Sequence, residues 1–423
     1  MNIEVHHSIL NGEIEAIASK SQSHRILIAA ALSDKPTTIK INSWSKDIEA
    51  TLNAITELGA KSEWEDDDEL IITPIADLPP KATLDCNESG STLRFLFPVV
   101  GALDIFECTF IGRGKLPKRP MEPIITEMRN KGISIKNKTL PITIFGTLQG
   151  GEYKLPGNIS SQFVSGLLFA LPLLPTDSTI EITTPEESQS YIEMTIDVLK
   201  TFGITIKKEN NIYIIKGNQK YISPNKITVE GDWSNAAFWF SGAALNGSIT
   251  VMGLNPKSTQ GDKKILDILK EMGAEVSINQ NSITVTHKNL NAIEIDAGDI
   301  PDLVPVLAMV ATLAQGTSHI INAKRLRLKE CDRLFAMNQC ITMLGGDIKE
   351  TEDGLIIKGG THLIGGKVKS FKDHRIAMSA AIGSVVAKNP IIIEDAEAVE
   401  KSYPHFFHDF QELGGKYNVL YLR

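Results

Sequence analysis

The stretch LKEMGAEVSINQNSITVTH, Leu269–His287, decides the fold. Its first residues read as the end of an amphipathic helix, and the helix stops at Gly273. A helix C′ position needs a positive φ, which only glycine adopts at little cost. Two runs of alternating apolar residues follow, Val276/Ile278 and Ile283/Val285, separated by polar residues. That pattern predicts a β-hairpin.

The same phrase recurs outward in both directions, as ITELGAK, EMRNKGISI, LKTFGITI, ITMLGGDI and FQELGGKY. The six glycines are Gly59, Gly132, Gly203, Gly273, Gly345 and Gly414, spaced by 73, 71, 70, 72 and 69 residues. Near-constant spacing over six copies marks an internal repeat. A second helix falls between successive glycines, starting near SQSHRILIAAAL, SGSTLRFLFPVV, SSQFVSGLLFAL, WSNAAFWFSGAAL, DLVPVLAMVATL and DHRIAMSAAIGSVV. Most of these are almost wholly apolar and should be buried. The others, such as DIEATLNAITEL and YIEMTIDVLKTF, are amphipathic and should lie outside. Each unit is therefore expected to hold one buried helix, one exposed helix and about four strands. Three units suffice for a domain, so two similar α/β domains flanking a cleft are expected, with GNQKYISPNK (217–226) at the boundary.

The chain has 423 residues, 42% hydrophobic, with a net charge of −8. A net-acidic chain argues against general nucleic-acid binding. Any anion site must be a local concentration of positive charge. The four cysteines, Cys86, Cys108, Cys331 and Cys340, lack metal-ligand spacing and suit a reduced, intracellular protein. No apolar run reaches the roughly 18–20 residues of a transmembrane helix. MNIEVHHSILNGEIEA reads as a strand rather than a leader, so a cytoplasmic location is expected.

Charge placement carries the functional signal. Helix N-termini are partially positive and disfavour cations unless something compensates. Yet Lys20 and Arg25 flank the first buried helix and Arg94 lies in the second. Lys118 and Arg119 precede Pro120, a good first-turn residue of a helix, Lys329 and Arg333 are spaced i,i+4 and so share a helical face, His374 and Arg375 follow Asp373, and Lys401 precedes the last helix. Ser160, Ser161, Gln162, Ser188 and Tyr191 offer hydroxyls and an amide at other helix starts. Such groups make phosphate or carboxylate sites. Lys257, Lys263 and Lys264 also lie near a helix start and read as solvated.

KSQSHR (20–25), SGSTLR (89–94), RPM (119–121), GNISSQ (157–162), IPD (300–302), LKECDR (328–333), DHR (373–375) and KSYP (401–404) appear in that order along the chain. Together they resemble the motifs of the 5-enolpyruvylshikimate-3-phosphate synthases. The resemblance implies a two-domain inside-out α/β barrel of six βαββαβ-type repeats, three per domain. It assigns residues 19–228 to one domain, mainly for shikimate 3-phosphate. Residues 1–18 plus 229–423 form the other, mainly for phosphoenolpyruvate and the acid/base groups. The implied reaction moves the enolpyruvyl group of phosphoenolpyruvate to the 5-hydroxyl of shikimate 3-phosphate and releases phosphate, without metal or organic cofactor. The implied partners are these small molecules, not nucleic acid or membrane, and the implied state is a monomer.

By the same resemblance, Lys20, Ser21, Arg25, Ser160, Ser161, Gln162, Ser188, Tyr191, Asp302 and Lys329 hold shikimate 3-phosphate. Lys20, Gly90, Arg119, Gln162, Arg333, Arg375 and Lys401 surround phosphoenolpyruvate, whose place glyphosate takes. Asp302, Glu330, Lys20 and Lys329 are the implied catalytic groups, Asp302 as base and Glu330, with Lys20, as acid. Three departures stand out: Glu88 where many members have Asn, Cys331 in place of Ser or Thr, and GRGKLPKRP (112–120), which leaves Lys115, Lys118 and Arg119 as alternatives. Two other readings of the repeat are weighed. A related transferase acting on UDP-N-acetylglucosamine usually has Lys-Asn where this chain has Lys20-Ser21. A non-catalytic repeat-based binding protein leaves the cations at helix starts unexplained.

Overall fold

The computed structural model describes residues 1–360 and 362–421. Its α-helices are α1 (Lys20–Ala31), α2 (Lys46–Glu57), α3 (Gly90–Ala102), α4 (Glu122–Asn130), α5 (Ser161–Ala170), α6 (Gln189–Thr201), α7 (Trp233–Leu245), α8 (Ile265–Met272), α9 (Val304–Ala311), α10 (Arg333–Met343), α11 (His374–Gly383) and α12 (Phe406–Glu412). The odd-numbered helices are the apolar ones and lie buried almost all round; every residue of α7 except Ser234 is buried. The even-numbered helices bury one face only, as in α8, where Ile265, Leu266, Ile268, Leu269 and Met272 point inward.

The six spaced glycines all have positive φ, between 80° and 110°. Each ends an even-numbered helix in the same way. The glycine N–H bonds the carbonyl three residues back, and the next N–H reaches five back, as in Gly273 to Lys270 and Ala274 to Leu269. This is the Schellman arrangement, which satisfies carbonyls the helix end would otherwise orphan.

Each repeat contributes to a four-stranded sheet of constant pattern: a parallel pair followed by two antiparallel pairings, the last of them a hairpin in five of the six sheets. In one, Glu294–Asp296 lies parallel to Thr317–Ile321, which pairs antiparallel with Leu355–Lys358, itself paired with Asp347–Glu350. Three sheets borrow a strand from far along the chain. Lys226–Thr228 completes the sheet of Thr37–Lys40. Leu10–Glu15 lies parallel to Gly247–Met252. Asn2–His6 sits between Ile391–Glu394 and Lys416–Leu420.

The chain divides into two compact units, Ala18–Val229 and Met1–Ile17 with Glu230–Arg423. Each has its own apolar core built around its three buried helices. The 217–226 stretch is packed rather than loose: Tyr221 is buried, its hydroxyl donates to the Phe169 carbonyl, and Ser223 bonds Thr37. Among the described residues, no helix is long and apolar enough to cross a membrane. The four cysteines are free and buried.

Candidate active site

Within Ala18–Val229, two polar clusters form at helix starts. In the first, Lys20 opens α1, and its ammonium lies 2.9 Å from Asp47 in the first turn of α2. This carboxylate offsets the unfavourable end of the α1 dipole. Arg25 is one turn further on and buried. Its Nε donates to Thr195 Oγ1 at 2.8 Å, Nη2 to the Tyr191 carbonyl at 2.9 Å and Nη1 to the Ser21 carbonyl at 2.5 Å, with the guanidinium over the Phe95 ring. Burial lowers the Arg25 pKa to about 9, which leaves it charged at neutral pH. Ser21, Arg25 and Tyr191 are thus brought together. Ser188 precedes α6 with a left-handed backbone, φ 54°.

The second cluster joins α3 and α5. Gly166 lets the two helices approach closely, since a Cβ there would run into the Arg94 carbonyl. Arg94 donates to Gln162 Oε1 at 2.8 Å, to Ser160 Oγ at 3.5 Å and to the Pro120 carbonyl at 3.2 Å. Gln162 in turn donates to Ser91 Oγ at 2.9 Å. Ser160 caps α5, and Ser161 is its first residue. Arg119 lies against Gly90: a Cβ on that glycine would stand 2.7 Å from Arg119 Nη1. Of the three basic candidates in 112–120, Arg119 is the one nearest to a Gly90 Cβ. Glu88 places its carboxylate against Gly114. Pro123, not Pro120, occupies the first turn of the following helix, because Leu116–Lys118 forms a 3-10 turn of its own and α4 begins at Glu122.

The other unit holds a denser charge cluster. Asp302, in the 3-10 turn Pro301–Leu303, lies 2.8 Å from Arg333 Nη1, 3.4 Å from Lys329 Nζ and 3.3 Å from Arg375 Nη2. Arg333 also bonds Glu330 at 2.8 Å and Asp373 at 2.8 Å. Burial by itself would lower Arg333, but Asp373, Glu330 and Asp302 together hold it well above its ordinary value. Lys329 is brought down to about 8 by burial, against the pull of Asp302 and with the repulsion of Arg333. The i,i+4 helical spacing expected for Lys329 and Arg333 is not formed. Lys329 is extended, and α10 starts at Arg333 behind its Asp332 cap, yet both side chains reach Asp302. The Cys331 thiol donates to Asp373 at 3.5 Å, a longer bond than a hydroxyl would make. Lys401 ends the 3-10 helix Ala396–Lys401. Lys257, Lys263 and Lys264 are exposed, as read.

Several participants left no local mark in the sequence. Asp262 is buried and raised to about 6 by desolvation and then by the charge of Asp302, with Arg375 opposing. Arg327 pins the Lys329–Glu330 loop, bonding Asp332 at 2.9 Å, Glu350 at 2.6 Å and the Thr351 and Glu352 carbonyls. The alternating basic residues in KRLRLK were the available signal for Arg327. Nothing near Lys20 in sequence pointed to Asp47. Among the described residues, no group of three or more His, Cys, Asp or Glu could hold a metal ion.

Six sheet-and-helix repeats, with basic and hydroxyl side chains at helix starts and a carboxylate–cation cluster, suit a transferase of the enolpyruvyl type, and comparison with known proteins shows that class. The chain belongs to the EPSP synthase (3-phosphoshikimate 1-carboxyvinyltransferase) family, whose profile matches residues 6–410. A 3-phosphoshikimate 1-carboxyvinyltransferase of Clostridium perfringens (strain ATCC 13124) is 49% identical over 414 residues, covering 96% of this chain and 97% of that one. Its counterpart in Clostridioides difficile (strain 630) is 45% identical over 429 residues, covering 98% of each. The structure of EPSP synthase from Acinetobacter baumannii is similar with a TM-score of 0.84 at 27% identity, covering 99% of this chain and all of that one. The enolpyruvyl transferase NikO of Streptomyces tendae shares the fold, with a TM-score of 0.79 at 15% identity over 99% and 98% of the two chains. The chain is an enzyme of the shikimate pathway that transfers an enolpyruvyl group.

Proposed function

We propose that the residues described above hold shikimate 3-phosphate and phosphoenolpyruvate and exchange the protons of the reaction. Lys20, Ser21, Arg25, Ser160, Ser161, Gln162, Ser188 and Tyr191 take shikimate 3-phosphate, with Asp302 and Lys329 near its reacting hydroxyl. Lys20, Gly90, Arg119, Gln162, Arg333, Arg375 and Lys401 take phosphoenolpyruvate. The observation that supports this most is Asp302 itself, an acceptor-only carboxylate set among Arg333, Lys329 and Arg375.

In the addition step, Asp302 accepts the proton of the 5-hydroxyl while its oxygen bonds to C2 of phosphoenolpyruvate. Glu330 delivers a proton to the methylene, giving a methyl group on a tetrahedral centre. In the elimination step, the methyl returns that proton to Glu330 and the C–O bond to phosphate breaks. Phosphate departs with the proton that Asp302 had taken, so both carboxyl groups are restored. Anionic phosphoenolpyruvate competes with Glu330 for Arg333, which releases Glu330 for its proton role. General acid–base help of this kind is worth roughly 10²–10⁴-fold.

The enzyme acts as a monomer in the cytoplasm and binds neither nucleic acid nor membrane in this reading. Phosphate release from phosphoenolpyruvate with shikimate 3-phosphate, and none with UDP-N-acetylglucosamine, is the expected result. Release with the second acceptor alone would reject the assignment, and undiminished turnover in Asp302→Asn would reject the role of the base.

A further inference from the structure

A chain of four buried side chains runs through the Ala18–Val229 unit, and none of the four is among the residues assigned above to substrate. His24 Nδ1 lies 2.7 Å from Thr51 Oγ1, Thr51 Oγ1 lies 2.6 Å from Thr92 Oγ1, and Thr92 Oγ1 donates to Ser89 Oγ at 2.7 Å. All four residues are at most 1% exposed. They come from α1, α2, α3 and the cap of α3, and Ser89 also accepts the Thr92 N–H that starts α3.

The direction of every proton follows from one end. Thr92 has a single hydroxyl proton and gives it to Ser89, so it must accept from Thr51. Thr51 in turn must accept from His24, which therefore carries its proton on Nδ1. That fixes the tautomer, since the bond one ring nitrogen makes decides the state of the other. His24 Nε2 is then a bare lone pair, and it is buried with no hydrogen-bond partner. Protonating it would place a cation beside Lys20 and Arg25. Burial, Lys20 and Arg25, in that order, hold the imidazole well below its ordinary value, which agrees with a neutral ring.

We propose that this hydroxyl chain is a positioning device that holds the first turn of α3, with Gly90 and Ser91, in register with α1, and that neutral His24 is its anchor. The inference rests on the assignment of Gly90 and Arg119 to phosphoenolpyruvate. α1 is moored by Arg25 to α6 and by Lys20 to α2, and α3 is moored one turn further on, where Arg94 bonds Gln162, Ser160 and the Pro120 carbonyl. Cutting the chain therefore loosens the first turn of α3, ahead of Arg94, and small displacements of binding groups carry large kinetic costs.

The test combines kinetics with a spectroscopic reading. Thr51→Val is expected to raise KM for phosphoenolpyruvate and the glyphosate inhibition constant about tenfold. KM for shikimate 3-phosphate and kcat should stay within about twofold, and Thr51→Ser should restore wild-type values. Should Thr51→Val not fold, Thr92→Val cuts the same chain from α3. Long-range ¹H–¹⁵N spectra of the wild-type enzyme, with His24 assigned by its loss in His24→Gln, should show the Nδ1–H tautomer at neutral pH. Unchanged KM for phosphoenolpyruvate in a folded variant, or an Nε2–H tautomer, overturns the proposal. Absence of phosphate release from the wild-type enzyme would instead strike the substrate assignment, and the tautomer would still report on the chain.

Discussion

Lys329 is the residue whose protonation the structure makes most consequential. With its pKa near 8, it is charged at neutral pH and loses that charge as pH rises further. An anionic ligand favours the charged form, so above pH 8 binding is coupled to proton uptake and weakens as pH climbs. The alkaline limb of kcat/KM should begin near pH 8 in the wild-type enzyme and recede to much higher pH in Lys329→Arg; a limb shared by both would assign it elsewhere. Arg25→Ala should weaken shikimate 3-phosphate binding about 10–100-fold, the effect of losing roughly 1.5–3 kcal/mol of charge-assisted contact. Calorimetric titration reads this directly. It should also lower thermal stability, because Arg25 joins α1 to α6 as well. Gly90→Ala should weaken glyphosate inhibition and raise KM for phosphoenolpyruvate, since the new methyl must push Arg119 aside. Equal inhibition constants would exclude that. At this scale the sequence showed which residue types gather at helix starts. It did not show that Asp47 neutralises Lys20 from 27 residues away, or that Asp262 sits beside Asp302, because those encounters depend on packing between elements.

The elements themselves were the most legible part of the chain. A stop glycine and an apolar period are local signals, and all six glycines end helices as read. Gly273 has φ 110°, and a Cβ there would approach the Asn289 carbonyl to 2.8 Å. Gly273→Ala should therefore cost about 1–2 kcal/mol, the penalty of a left-handed L-residue, with kcat unchanged. Urea unfolding measures it, and an unaltered midpoint would contradict the capping role. Two local readings missed. Pro120 looked like a first-turn proline, but the 3-10 turn before it uses up the intervening residues. Lys329 looked helical, but Arg327 holds that loop extended from the side of the neighbouring hairpin.

For the whole molecule, the parallel strand pairs lay beyond sequence reading, because no local pattern tells Lys226–Thr228 to join Thr37–Lys40. Removing residues 1–15 should leave Gly247–Met252 with an open parallel edge and separate Ile391–Glu394 from Lys416–Leu420. Unpaired edges of this kind template association, so the truncated chain should aggregate on size-exclusion chromatography; a monodisperse product would show that these strands are dispensable. The borrowed N-terminal strands also bear on biosynthesis. Their partners are encoded at 247–252, 391–394 and 416–420. At a ribosomal pace of roughly 5–20 residues per second, the first strands emerge on the order of 20–80 s before their last partners exist. The Ala18–Val229 unit can assemble on the nascent chain meanwhile, because all its strands are by then translated. The Met1–Ile17 segment must stay extended and unclaimed until residues 416–420 have been made, so it is translated before the Ala18–Val229 unit and completes its fold after it.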